Sequence, residues 1–279
     1  MRLKLGEFLY ELGQDRNRKV LFVEGLRDLA FWRGLVTTFE RGDTVIYPVS
    51  QIDCPNVEGG ERGRLVYIAA EIRASPYHAR VRFFADADTD RMLKIILPDN
   101  IILTDGRDLE AYGILAECIG DVCVAGFARE NESSAVLDLI TRVCRPIGVI
   151  RVASARKKWR LGFQKTLAEK GFRRLVDRTQ PVISLDGDRL LTTLLQNSGV
   201  SISRKAEIVT LIEQETTALG HLPDFEVVHG KDLINALSAF FDRDGEHIET
   251  LLFMSIQGNL GKIRVMPNIR DAETWVRGS

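Results

Sequence analysis

The chain predicts an α/β fold built on a parallel sheet, and three observations carry that prediction. Short runs of branched and aromatic residues, 20–23 (Val-Leu-Phe-Val) and 81–85 (Val-Arg-Phe-Phe-Ala), have the composition of buried strands. Between them lie longer stretches whose apolar residues recur at helical spacing, the alternation that implies parallel pairing with right-handed crossovers. Acidic residues stand just past the strand ends, as at Glu24 and Asp86. In open α/β sheets the carboxyl ends of the strands are where ligands bind.

In chain order, residues 3–12 read as a short amphipathic helix and 13–18 as a polar turn into the first strand. A helix from 26 to 39 follows Glu24-Gly25. Arg41-Gly42-Asp43 is a turn and 44–49 a second strand. Residues 50–63 form an irregular loop with Pro55, Gly59, Gly60 and Gly63, and Leu65, Ile68, Ala69 and Ile72 mark the next helix. That glycine-rich loop either approaches a phosphate backbone or simply lets the helix begin. Residues 81–85 and 100–104 are the third and fourth strands. From 111 the texture turns helical, over 112–124, 133–144, 185–196 and 204–219, with 147–152 the only strand-like run among them. Strand texture returns at 225–229, and Gly230-Lys231 leads into a helix over 232–241. The expected organisation is a core over 1–112, a mostly helical insertion over 113–222 placed to bind substrate or partner, and a return to the core with a tail over 223–279.

Composition excludes several classes. At 279 residues and 45% hydrophobic content, the chain can bury a large core in one or two domains. No apolar run approaches the roughly 20 residues that span a bilayer, and the charged start, Met-Arg-Leu-Lys-Leu-Gly-Glu, does not read as a signal peptide. Cys54, Cys118, Cys123 and Cys144 follow no metal-ligand or disulfide spacing and read as reduced thiols. A cytoplasmic protein with no membrane partner is expected. A net charge of −1 names no partner by itself. The sequence has no Gly-x-x-x-x-Gly-Lys-Ser/Thr, hence no P-loop ATPase of its own. His78, His221 and His247 lack zinc spacing, and residues 242–249 are too short, with too early a glycine, for an EF-hand. Asp186-Gly187-Asp188 reads as a turn before a helix, and His229 as a strand-end histidine with a structural hydrogen bond.

Three acidic groups recur at strand ends: Glu24 with Asp28, Asp86 with Asp88, and Asp105-Gly-Arg-Asp-Leu-Glu110. Acids two apart on an extended chain point to one side. Two such charges about 4 Å apart repel by roughly 4 kcal/mol at an effective dielectric near 20, so a cluster must be protonated, paired or metal-bound. Oxygen-only ligands favour magnesium or manganese over zinc. Each acid also has a plain reading. Asp28 suits the first turn of a helix, Asp88 and Asp90 suit a turn or an N-cap, and Glu110 suits a helix surface.

The ordered set resembles a known family. Val-Glu24-Gly25-x-x-Asp28 after one strand and Asp86-x-Asp88 after another look like the Toprim signature. Thr104-Asp-Gly-Arg-Asp-Leu-Glu110 and the late His229-Gly230-Lys231-Asp-Leu segment resemble the overcoming-lysogenisation-defect (OLD) type of Toprim nuclease, above all the stand-alone Toprim effectors of PARIS-like phage-defence systems. The match spans roughly residues 18–112 and 224–241. The resemblance implies a Rossmann-like Toprim core and a Mg2+- or Mn2+-dependent endonuclease, with two metals, acting as a toxic effector on RNA or DNA. It implies Glu24 as metal ligand or general base, Asp28 beside it, Asp86 and Asp88 as principal metal ligands, Glu110 completing a second metal position, and Lys231 neutralising charge on the phosphate. It also implies a separate ABC-type ATPase subunit, and it leaves room for a homodimer. The competing reading is a non-catalytic Toprim module that binds nucleic acid or serves as the sensor of an ATPase complex.

Residues 151–174 hold nine basic residues against one acid. Arg156, Lys157, Lys158, Arg160 and Lys165, with Trp159, Phe163 and Phe172 between and around them, would suit a nucleic acid. They equally suit a solvated helix face with core-facing aromatics.

Overall fold

In the computed structural model, which describes residues 3–36, 44–55, 57–177 and 184–278, four parallel strands form the largest sheet. Their spatial order is Thr44–Pro48, Lys19–Val23, Val81–Ala85, Ile101–Leu103. Register sets Val23 beside Pro48 on one side and Phe84 on the other, and Ala85 beside Leu103. The Lys19–Val23 strand is central, and Val20, Leu21, Phe22 and Val23 are all fully buried. A strand covered on both faces shows no apolar–polar alternation, which is why its sequence reads as one continuous apolar run.

The chain divides into two compact units, one formed by Met1–Ala87, Ile95–Asp105 and Leu260–Ser279, the other by Asp88–Lys94 and Gly106–Asn259. In the first, Phe22 stacks on Phe83 at 5.3 Å and joins Phe8 and Leu12 of the Leu5–Gln14 helix and Leu65, Ile68 and Ile72 of the Gly60–Arg73 helix. Trp32, from the Leu26–Val36 helix, meets Phe84 edge-on at 5.0 Å. Each large apolar side chain fully buried here contributes about 1.5–3 kcal/mol. The Pro267–Arg277 helix returns to this unit: Asp105 accepts hydrogen bonds from the Asn268 and Ile269 amides, and Lys19 donates to the Trp275 carbonyl.

The second unit is mainly helical. Arg145–Lys157, Gly187–Ser198, Lys205–Ala218, Gly230–Phe241 and Gly245–Gly258 are its longest helices. Two π-helical turns, Val122–Gly126 and Ile140–Cys144, interrupt the helical runs expected over 112–124 and 133–144. Asp186 caps the Gly187–Ser198 helix by accepting from the Arg189 amide, as the turn reading anticipates.

Several expectations need correction. Residues 3–4 are a short strand paired with Ile52–Asp53, and the first helix starts at Leu5. Residues 147–152 are helical, inside Arg145–Lys157; Pro146 suits the first turn of that helix, and Ile147, Val149, Ile150 and Val152 are buried. A short apolar run buried all round carries the same pattern in strand and helix. Residues 225–229 are not a strand either: Asp224–Val227 is a helical turn, and Val228 and His229 are extended. The two compact units are drawn along other lines than the expected core and insertion: 88–94, 106–112 and 223–259 belong to the second unit and 260–279 to the first. The glycine-rich loop lets a helix begin. Gly59, at φ +87°, occupies the position before Gly60–Arg73, where any other residue would be strained. The end of the helix expected to reach Phe39 and the turn at 41–43 lie outside the described residues.

The four cysteines are buried and none is in a disulfide. Among the described residues no helix is long and apolar enough to cross a membrane.

Candidate functional site

In the first unit, pairing register brings two of the expected residues to one edge. Val23 sits beside Phe84, so Glu24 and Asp86 follow the carboxyl ends of adjacent parallel strands about 4.8 Å apart. Gly25 ends the strand, and the Leu26–Val36 helix begins at once. Asp28, in its first turn and 7% exposed, accepts a hydrogen bond from the Gly25 amide at 2.9 Å. The carboxylate therefore fixes the strand-to-helix turn, whatever else it does. Glu24 faces Arg62 at 3.7 Å, with both side chains about one-fifth exposed. Asp86 is half-buried. Asp105, beyond the next strand, is committed to the Asn268 and Ile269 amides.

In the second unit, two sequence motifs about 120 residues apart are packed together. The Gly230 amide donates to Asp108 at 2.7 Å, and Asp108 also accepts from the Ala111 amide at 2.9 Å. A side chain at position 230 would collide with the Glu110 Cβ and with Asp108, so Gly230 is what lets the 108–110 and 229–231 segments close. Glu110 and Lys231 thus come from neighbouring backbone. The Asp88 amide donates to the Arg107 carbonyl at 2.6 Å, and Asp88 holds a left-handed backbone with φ +44°. Arg107, 3% exposed, donates to the carbonyls of Val227 at 2.6 Å and Gly148 at 3.3 Å. Asp232 is fully buried and takes a two-pronged ion pair from Arg151 at 2.7 and 2.8 Å.

These surroundings move three ionisations. Burial, then the charge of Arg151, brings Arg107 down to about 10, so it stays cationic at neutral pH. Burial, then Glu110, pushes Asp108 up to about 7 against the pull of the Gly230 amide, Arg107 and the Ala111 amide. Burial, then the cations Arg151, Arg107 and Lys231, drives His229 down to about 2. Its 3.4 Å approach to Asp108 is therefore a contact of a neutral imidazole, not an ion pair. His229 caps the Gly230–Phe241 helix, its Nδ1 accepting from the Lys231 amide at 3.1 Å.

Arg151, His229, Lys231 and Glu249 line a cleft of about 490 Å3 whose apolar wall is Phe163, Leu167 and Ile234. The Arg151 guanidinium lies 4.3 Å from the centre of the Phe163 ring. The basic stretch separates into two kinds of residue. Arg156 is committed to Glu215 and the Met92 carbonyl. Lys157, Lys158, Arg160 and Lys165 are exposed. The interleaved aromatics are mostly core: Phe163 is 8% and Phe172 1% exposed, so neither stands out as an open stacking platform.

Among the described residues no three His, Cys, Asp or Glu side chains gather closely enough to hold a metal ion. A preformed three-carboxylate cage is therefore absent among them. The all-oxygen donor set nonetheless fits magnesium, which usually keeps several waters and binds through one or two carboxylates plus substrate phosphates. No protein-family model matches the chain, and no curated protein matches it significantly.

Sequence reasoning missed Arg62, Arg107, Asp108, Arg151 and Asp232 as organising residues. Arg62 sits in a stretch that reads as loop. Nothing in local pattern marks Arg107 or Asp232 as buried, or Arg151 as the partner of Asp232, because the groups they bind lie more than 40 residues away. The signal that existed was the density of charge in Asp105-Gly-Arg-Asp-Leu-Glu110.

Proposed function

We propose that the chain is a Toprim nuclease of the OLD type: a Mg2+- or Mn2+-dependent endonuclease, cytoplasmic, cutting RNA such as tRNA, or DNA. On this reading it is a toxic effector of anti-phage defence held in check by a separate ABC-type ATPase. The single observation behind it is the register that sets Glu24 and Asp86 past adjacent parallel strands, where open α/β sheets bind ligands. Glu24, Asp28 and Asp86 are the metal ligands it assigns to the first unit. Asp88 and Glu110 are those it takes from the resemblance in the second. Bound metal would activate the attacking water and stabilise the leaving oxygen. Lys231, exposed at a helix start, would offset charge on the phosphate. Lys157, Lys158, Arg160 and Lys165 would track the backbone of the substrate; Arg156, tied to Glu215, is a weaker candidate.

The test is incubation of the full chain with total RNA and with plasmid, with and without manganese, followed by mapping of the product ends. Metal-dependent cleavage that Glu24→Ala and Asp86→Ala abolish, both variants remaining folded, is the expected result. A Glu24→Ala protein cutting at the parental rate would remove that residue from the mechanism.

A second reading has an observation of its own. Glu24 is engaged by Arg62, an arrangement that suits a non-catalytic nucleic-acid-binding or sensor subunit. It predicts RNA or DNA binding without cleavage at any metal concentration.

A further inference from the structure

The cleft lined by Arg151, His229, Lys231 and Glu249 lies wholly within the second unit and is built of groups with distinct chemistry. Its volume of about 490 Å3 falls inside the range of about 300–1,000 Å3 that small-molecule sites occupy. Part of the lining is cationic. Lys231 is exposed and carries an ammonium, the usual point-charge partner of a phosphate. Beside it, His229 uses Nδ1 to accept the Lys231 amide, which leaves the proton of the neutral ring on Nε2 as a donor. The rest of the lining joins a guanidinium to apolar side chains. Arg151 is clamped at two points by Asp232 and holds its guanidinium 4.3 Å from the centre of the Phe163 ring, and Leu167 and Ile234 line the same cleft. Guanidinium planes and apolar surface of this kind take the face of an unstacked base. Glu249 supplies a carboxylate, an acceptor that repels phosphate and suits a sugar hydroxyl.

We propose that this cleft holds one unpaired ribonucleotide, its phosphate at Lys231 and His229, its base against Arg151, and its 2′-hydroxyl at Glu249. A base still paired in a duplex cannot enter such a cleft, so the assignment selects single-stranded or looped RNA. This deepens the nuclease reading and takes its substrate class from it, but its test needs no cleavage.

The test is titration of the full chain, in EDTA, with adenosine 5′-monophosphate, its 2′-deoxy counterpart and inorganic phosphate, followed by calorimetry. The ribonucleotide is expected to bind at least about tenfold tighter than phosphate and several-fold tighter than the deoxynucleotide. Lys231→Ala should weaken it about tenfold or more. Ala168→Trp, which fills the cleft from an exposed position, should abolish binding, and Glu249→Gln should bring the two nucleotides level. Should Ala168→Trp fail to fold, the exposed Lys231→Ala decides alone. Equal affinity for ribonucleotide and phosphate, or binding indifferent to both variants, would overturn the site. Equal affinity for ribo- and deoxynucleotide would overturn the ribose assignment. Nucleotide binding without cleavage of either RNA or plasmid would uphold the cleft while sinking the nuclease, and cleavage without nucleotide binding would do the reverse.

Discussion

The two units handle charge in opposite ways. In the first, Glu24 and Arg62 face each other at a partly exposed sheet edge, 3.7 Å apart. In the second, Arg107 and Asp108 are sealed among backbone groups and Asp232 is held by Arg151, none of the three more than 3% exposed. A pair that keeps some contact with water costs less to part and can trade one partner for a cation or a phosphate. A sealed pair cannot be traded, because whichever group remains is left charged and buried. The contrast separates acids available for chemistry from acids that hold backbone segments in place.

The largest expected effect tests the sealed side. Arg107→Met strips two carbonyls of their donor and takes a cation from beside Asp108 and Asp232, a loss of about 3–5 kcal/mol. Arg62→Met at the partly buried edge should cost less, about 1 kcal/mol. Urea unfolding of both variants measures the difference; equal losses would break the comparison. Asp108→Asn comes next. It turns one acceptor into a donor facing a backbone N–H, and should cost about 1–3 kcal/mol in the same measurement.

The pH dependence sharpens the contrast through two groups of opposite sign. Asp108 is raised to about 7 in the fold against about 3.9 unfolded, so the folded state binds the extra proton between those values. The stability of the parent relative to Asp108→Asn should therefore fall as pH rises from about 4 to about 7. His229 is lowered to about 2 against about 6.5 unfolded, so there the unfolded state binds the proton. The parent should lose stability relative to His229→Gln as pH drops below about 6.5. Unfolding midpoints across pH 4–8 check both; slopes of the same sign would refute the pair.

The smallest expected effects lie at the exposed cations. Replacing Lys158 by Ala should leave stability within about 0.5 kcal/mol. It should reduce the salt slope of RNA binding by about one, measured by filter binding at several ionic strengths. Arg156→Ala should instead be felt in stability, since its guanidinium holds Glu215.

Much of the sheet was legible before folding. Runs at 20–23 and 81–85 are short, apolar and β-branched or aromatic, and few other elements tolerate that composition on both faces. The runs at 147–152 and 225–229 carried nearly the same texture and became helix and extended turn, because local pattern does not record on how many sides a segment will be covered. The acids divided in the same way. Glu24 and Asp86 could be placed at strand ends from the chain alone, since parallel strands joined by helical crossovers share one carboxyl edge.

The sequence by itself determined the residue types at the sheet edge, the glycine at 230 and the basic excess over 151–174. Tertiary structure alone decided that Gly230 closes on Asp108 and Glu110, that Arg151 is spent on Asp232, and that Phe172 faces the core while Phe163 lines a cleft. The physical reason is range. Propensity and periodicity act over a few neighbours, whereas the partner that neutralises a buried charge is chosen by whichever distant segment packs against it.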